Sequence, residues 1–248
     1  MKTLFLMLTT GSLYAQNITD GRALITAMHD RYASTWYKTV TFTQRTVTHL
    51  PDGQIKEETW FEAARLPSSL RISIAPVDSG NGMIFTRDSI FVFKRDRPVY
   101  VAPFIHPLML LGFDVYTMPF DSTVSKLKQL GFDLSICRKD RWHDRDVYVV
   151  GAEAGDTVSR QFWVDAKRLV FVRLLEPGPQ NPNVTMETQF NKYIEVDGGW
   201  IETEVLFLVD GKMKGEEYYR DIHVNVPVNN NLFSIPHWPS TRFVNKPK

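Results

Sequence analysis

From Val40 onward the chain is a succession of short strand-like segments separated by turn residues, and no other feature constrains its fold as strongly. Residues 40–48 and 55–64 flank Pro51-Asp52-Gly53, the chemistry of a hairpin turn. Leu70-Arg71-Ile72-Ser73-Ile74 alternates apolar and polar residues strictly, the pattern of a strand with one dry face. Shorter strands are expected at 83–87, 89–95, 132–138, 146–150, 160–165 and 168–175. Three longer ones, 185–196, 200–208 and 213–226, close the chain as a meander around Asp197-Gly198-Gly199 and Asp210-Gly211. One amphipathic helix precedes them, with Ala23, Leu24, Met28 and Tyr32 at helical spacing and Asp20 as its cap. No fixed-period repeat and no Gly/Ser linker divides this pattern, so one antiparallel β domain is expected over residues 16–248. An aromatic content of 12 %, with 16 Phe, 9 Tyr and 6 Trp, suits a sheet-rich chain.

Residues 102–131 interrupt the strands. Pro103-Phe104-Ile105-His106-Pro107-Leu108-Met109-Leu110-Leu111-Gly112-Phe113 is more apolar than a surface connection, and a helix-like stretch at 122–130 follows it. Two readings stand: a lid over a binding site, or a plug that fills one end of a barrel as ordinary core.

The first fifteen residues have a separate plan. Lys2 precedes the apolar Leu4-Phe5-Leu6-Met7-Leu8, and small residues lead to Ala15, as in a cleaved secretory signal peptide. The apolar run is far shorter than the ~20 residues a membrane-spanning helix needs. The whole chain carries 29 Lys+Arg against 28 Asp+Glu, and losing Lys2 brings the balance to zero, so no overall field favours nucleic acid or an anionic membrane. The one cysteine, Cys137, cannot pair within the chain and stands far from any lipobox position, so the protein is not expected to be lipidated itself. Alternation with Phe132, Leu134 and Ile136 marks it as an apolar thiol. Asn17 and Asn183 begin Asn-x-Thr sequons, a motif too short to carry weight.

The common catalytic signatures are missing: there is no Gly-x-Ser-x-Gly, His-Glu-x-x-His, Gly-x-x-x-x-Gly-Lys or Cys-x-x-Cys. Trp142-His143-Asp144-Arg145-Asp146 reads better as a solvated hairpin turn than as a ligand set, and His29, His49, His106, His223 and His237 are scattered singly. Phe91-Val92-Phe93-Lys94-Arg95-Asp96-Arg97 interleaves rings and cations, but flanking acids deny it the positive groove a nucleic acid requires. A secreted β domain with many apolar side chains points instead to an apolar ligand held by buried area. At ~0.8 kcal/mol per buried CH2, an acyl chain of about fifteen carbons gains roughly 12 kcal/mol. An unfamiliar hydrolase is a third reading, testable by whether His106, His143 and the neighbouring carboxylates converge.

Thr41-Phe42-Thr43-Gln44-Arg45, Asp52-Gly53, Leu66-Pro67-Ser68-Ser69-Leu70-Arg71, Ala75-Pro76 and Arg87-Asp88 before an aromatic strand follow one another in an order that resembles the LolA family of periplasmic lipoprotein carriers, with its LolB- and RseB-type relatives. Phe162-Trp163-Val164-Asp165 resembles the family's central strand, and Val226-Pro227 with Leu232-Phe233-Ser234-Ile235-Pro236 its C-terminal segment. The resemblance implies a mainly β fold with a few helices: an incomplete, half-open antiparallel β-barrel covered by a helical lid. It further implies a periplasmic, monomeric, non-enzymatic carrier that takes acylated lipoprotein or other lipid cargo towards the outer membrane. Its partners would be an inner-membrane ABC-type releasing complex and an outer-membrane acceptor, with no cofactor, metal or nucleic acid. The alternative is an envelope sensor of the same fold.

The expected ligand-binding residues are Leu70, Ile72, Ile74, Phe91, Phe93, Phe104, Leu108, Met109 and Phe113. Ile90 and Val92 are also apolar, so either face of the Phe91 strand can be the dry one. In the family an Arg directly before the strand-ending Pro holds the lid; here Leu66 stands there, which leaves Arg65 or Arg71 for the lid contact.

Overall fold

The computed structural model describes residues 18–245; the expected signal peptide, residues 1–15, lies outside them. Asp20 opens helix α1 (Gly21–Tyr32) by accepting the Ala23 backbone N–H at 2.7 Å, which satisfies one of the donors a helix start leaves free. The hairpin around Pro51 follows as β1 (Thr39–His49) and β2 (Ile55–Arg65). Strands β3 (Ser69–Ile74), β4 (Gly82–Thr86), β5 (Ser89–Lys94) and β6 (Arg97–Pro103) continue as antiparallel neighbours. Helix α2 (Pro107–Gly112), a 3-10 turn at Asp114–Tyr116 and helix α3 (Phe120–Gln129) then lead to the second half. There β7 (Cys137–Trp142), β8 (Arg145–Val150), β9 (Gln161–Asp165), β10 (Phe171–Pro177) and β11 (Thr185–Asn191) pair in turn. A small ribbon of β12 (Ile194–Val196) and β13 (Gly199–Ile201) precedes β14 (Glu204–Val209) and β15 (Lys212–Val224).

Among the described residues, thirteen strands form one antiparallel sheet in the order β6-β5-β4-β3-β2-β1-β15-β14-β11-β10-β9-β8-β7. The last strand returns to the first, with Gln44 opposite Tyr219, and joins the two meanders at the middle of the sheet. β6 and β7 are its two unpaired edges, so the sheet curls without closing, as a half-open barrel does.

Several strand expectations change, among them 200–208, which divides into β13 and β14 at Glu202-Thr203. Residues 185–196 split into β11 and β12 at Lys192, whose φ of 52° takes the chain out of the extended region. The expected strand at 132–138 begins only at Cys137; before it Phe132 and Leu134 turn into the core, and the Leu134 carbonyl accepts the Gly21 N–H at 2.8 Å. Residues 97–103, outside every expected strand, form the edge strand β6, with Val99, Tyr100 and Val101 exposed.

The inner face of the sheet, the one the helices cover, carries the main core. Leu24, Ile25 and Met28 of α1 are fully buried, worth about 1.5–3 kcal/mol each, and pack in one cluster with Val149, Phe162 and Phe171. Much of the aromatic content lies here: Trp36 stacks on Tyr116 at 3.8 Å, Tyr32 meets Tyr116 edge-on at 5.4 Å, and the Phe171 N–H donates to Tyr116 Oη at 3.1 Å. The outer face of β3, β4 and β5 is covered by the C-terminal segment, residues 227–245. Trp238 stacks on Phe93 at 4.2 Å and 5°, Arg242 forms a two-pronged pair with Asp96, and Asn245 Nδ2 donates to the Asp221 carbonyl.

Candidate functional site

The covered face encloses a cavity of about 230 Å³ between the first half of the sheet and α2. Its walls follow the two-residue period of the strands. β1 supplies Val40, Phe42 and Gln44; β2 supplies Trp60, Glu62 and Ala64; β3 supplies Leu70 and Ile72; β4 supplies Met83 and Phe85. Glu217 and Tyr219 of β15, Phe207 of β14 and Phe190 of β11 close the far wall. The cover is His106, Leu108 and Met109 from the start of α2, with Phe113 just after it.

Both readings of the apolar insertion apply to α2 at once. Leu110 and Leu111 are buried in the core, while Leu108, Met109 and Phe113 face the cavity. The helix starts with Pro107, whose missing N–H costs nothing there, and His106 Nδ1 accepts the Met109 N–H at 3.3 Å. Burial holds this imidazole down at about 4, so it serves as a neutral cap. Gly112 lets the helix end approach the opposite wall: a Cβ there would lie 2.7 Å from the Phe190 ring. Asp114 then accepts the Ser68 N–H at 2.9 Å and its hydroxyl at 3.4 Å, tying the α2 connection to the β2–β3 turn. Burial lifts the Asp114 carboxyl to about 7 against the opposing pull of those two hydrogen bonds. Lys126 of α3 pairs with Asp88 in the β4–β5 turn.

Of the expected ligand-binding residues, Leu70, Ile72, Leu108, Met109 and Phe113 are brought together around this cavity. Ile74 shares the cavity face, opposite Trp60, but stands beyond the lining and packs on the core. Phe104 is 41 % exposed and stands at the rim, against Phe85 at 5.8 Å and His106 at 5.6 Å. Phe91 and Phe93 are on the other side of the sheet. Register sets Ile90 and Val92 opposite the cavity-facing Phe85 and Met83, so Phe91 and Phe93 point outward to the cluster around Trp238. Arg65 and Arg71 are outward as well. Arg71 alternates with Leu70 and Ile72, and its guanidinium lies 3.9 Å from the Trp238 ring centroid and donates to the Leu232 carbonyl. Arg65 bonds Asn230 and lies over Phe233. Both hold the C-terminal segment, and neither of these contacts is with α2.

Sequence reasoning missed the whole far wall and much of the near one. Phe42, Gln44, Trp60 and Glu62 carry a usable signal, since each keeps the alternation of a strand already recognised. Phe190, Phe207, Glu217 and Tyr219 come from the second half through the β1–β15 pairing, which no local pattern announces. Two of the missed residues are acids. Glu62 is 5 % exposed, and burial, with Glu217 and Glu202 nearby, holds its carboxyl well above the ordinary range. Burial likewise lifts Glu217 to about 7, opposed by the Tyr219 hydroxyl, which donates to it at 3.3 Å.

His106 and His143 do not converge: the first covers the cavity, and the second is in the β7–β8 turn with a φ of 48°. No group of three His, Cys, Asp or Glu side chains suited to a metal occurs among the described residues. Cys137 is a half-buried free thiol, pushed up to about 11 by burial. No described helix is long and apolar enough to cross a membrane.

No protein-family model and no curated protein matches the sequence. Solved structures do match the fold. A LolA superfamily protein from Nitrosomonas europaea aligns over 85 % of this chain and 97 % of its own, with a TM-score of 0.55 and 11 % identity. A DUF1329 family protein from Desulfovibrio piger aligns over 86 % and 95 %, with a TM-score of 0.57 and 13 % identity. A Vibrio parahaemolyticus domain named for outer membrane lipoprotein sorting aligns over 87 % and 97 %, with a TM-score of 0.56 and 10 % identity. The chain shares the fold of these proteins: a large curled antiparallel sheet with helices on one face.

Proposed function

We propose, from a fold shared with the LolA superfamily, that this protein is an envelope carrier that shelters the acyl chains of a lipoprotein, or of a related lipid, in the cavity beneath α2. The observation that carries the reading is the cavity itself: an apolar space walled by alternate residues of five strands and covered by Leu108, Met109 and Phe113. Area burial alone supplies the affinity. Each buried CH2 contributes about 0.8 kcal/mol, and no reactive group is required.

Size adds a mechanical step. About 230 Å³ is below the ~300–1,000 Å³ typical of small-ligand sites. The cavity as it stands takes part of one chain, and full loading requires α2 to move off the sheet. The Asp114–Ser68 tie and the Gly112–Phe190 approach are what such a movement breaks. Affinity is then the acyl burial energy less the cost of lifting the lid. With residues 1–15 removed the chain carries no net charge, so no overall field steers cargo to it.

The test is retention of a fluorescent triacylated lipopeptide in detergent-free buffer. The native protein is expected to keep it soluble in a one-to-one complex, and Ile72→Asp and Leu108→Asp to lose that capacity while remaining folded. Equal retention by both variants contradicts the reading.

A further inference from the structure

One end of the cavity is polar, and its polarity is unbalanced. Register across β2, β1 and β15 sets Trp60, Gln44 and Tyr219 in one row. The two acids flank this row on opposite sides: Glu62 stands one pleat inward from Trp60, between Phe42 and Ile72, and Glu217 one pleat the other way from Tyr219, opposite Thr46, and both are in the cavity lining. Gln44 is 1 % exposed; its Nε2 donates to Thr46 Oγ1 at 2.8 Å, and its Oε1, buried at the cavity wall, has no partner. Trp60 Nε1 is a buried donor without a partner. The lining holds no Lys or Arg to offset the two carboxyls, and burial keeps His106 neutral. Glu202, whose charge acts on Glu62, is itself buried with an unpartnered oxygen.

Natural cavities rarely leave so many polar atoms unmatched, because each costs about 1–3 kcal/mol when buried without a hydrogen bond. Gln44 Oε1 is an unpartnered acceptor on this wall, and the two carboxyls, kept protonated by burial, turn into acceptors once a cation stands beside them. An ammonium group brings three donors, no acceptor and a positive charge that favours the ionised form of a neighbouring carboxyl. We propose that this end of the cavity receives a protonated primary amine carried on an apolar chain, so that the preferred occupant is a cationic amphiphile with its tail along Leu70, Ile72 and Phe113. This rests on the reading that the cavity accepts apolar chains, and it adds the head group that such a chain bears.

Affinities of the full chain for dodecylamine, dodecanol and dodecanoate, by calorimetry at about pH 8, where the alkylamine is protonated and the alkanoate ionised, test it. The expected order is amine at least tenfold tighter than alcohol, with the carboxylate weakest. In a Glu62→Gln/Glu217→Gln variant the ratio of amine to alcohol affinity, measured on one preparation, is expected to fall to about one. An amine no tighter than the alcohol in the native chain overturns the proposal and leaves the apolar cavity standing, as does a preference that survives the double substitution. Binding of none of the three overturns the cavity reading and this proposal together.

Discussion

The guanidinium of Arg71 lies 3.9 Å from the ring centroid of Trp238, and both side chains are almost wholly buried on the face of the sheet opposite the cavity. Arg71 Nε donates to Ser73 Oγ at 3.1 Å, and another guanidinium N–H donates to the Leu232 carbonyl at 3.2 Å. Burial, aided by nearby Arg242, lowers the guanidinium to about 10. Arg71 therefore joins the C-terminal segment to β3 through cation–π and hydrogen-bond contacts, with Phe93 stacked against the same indole.

Trp238→Ala should remove that stack and destabilise the protein by about 3–5 kcal/mol, the cost of deleting a large buried ring. Because Trp238 is on the outer face, affinity for an acyl probe should change less than twofold under conditions where the variant is folded. Urea unfolding and probe titration on the same preparation check both halves of this expectation.

Leu70 and Phe91 give a cleaner contrast, since both were candidates for the lining and the sheet separates them. Leu70→Asp places a charge in the cavity wall and should weaken an acyl probe at least tenfold. Phe91→Asp, among outer-face residues, should leave probe affinity within twofold of native. Equilibrium binding of a fluorescent fatty acid to the two variants reads the difference.

Gly112 controls how closely α2 seats on Phe190. Gly112→Val forces the helix or the ring to shift, at about 1–3 kcal/mol for overpacking a tight contact. The closed form bears that cost, so an acyl probe should enter faster in the variant. Stopped-flow association rates are the measurement.

Asp114 makes a prediction about pH. Burial raises its carboxyl to about 7, so between roughly pH 4 and that value the folded chain keeps a proton that the unfolded chain has released. Stability from this group therefore falls as pH rises through the window, by at most ~1.4 kcal/mol per pH unit. Asp114→Asn should show a shallower decline than the native chain across that window. Unfolding midpoints measured side by side at several pH values cancel the contribution of the other titrating groups.

Period-two alternation made the inner face of β3 legible: Leu70 and Ile72 line the cavity as their spacing requires. The same rule was silent on β5, where Ile90, Phe91, Val92 and Phe93 are all apolar because one face meets the cavity side and the other meets Trp238. A strand buried on both sides loses the signal that assigns its faces. Arg65 and Arg71 were misassigned for a related reason. Nothing near them in sequence reveals that residues 232–238 return to cover them, a separation of more than 150 residues. The β1–β15 pairing that brings Glu217 and Tyr219 to the cavity is as remote, and only the assembled sheet discloses it.

The central claim is that the space beneath α2 holds acyl chains, and native mass spectrometry of the full chain purified from cell envelopes tests it most directly. The account predicts a species heavier than the protein by the mass of an acylated peptide or lipid, lost on Leu108→Asp. A spectrum of bare protein alone, unchanged after incubation with a triacylated lipopeptide, contradicts it.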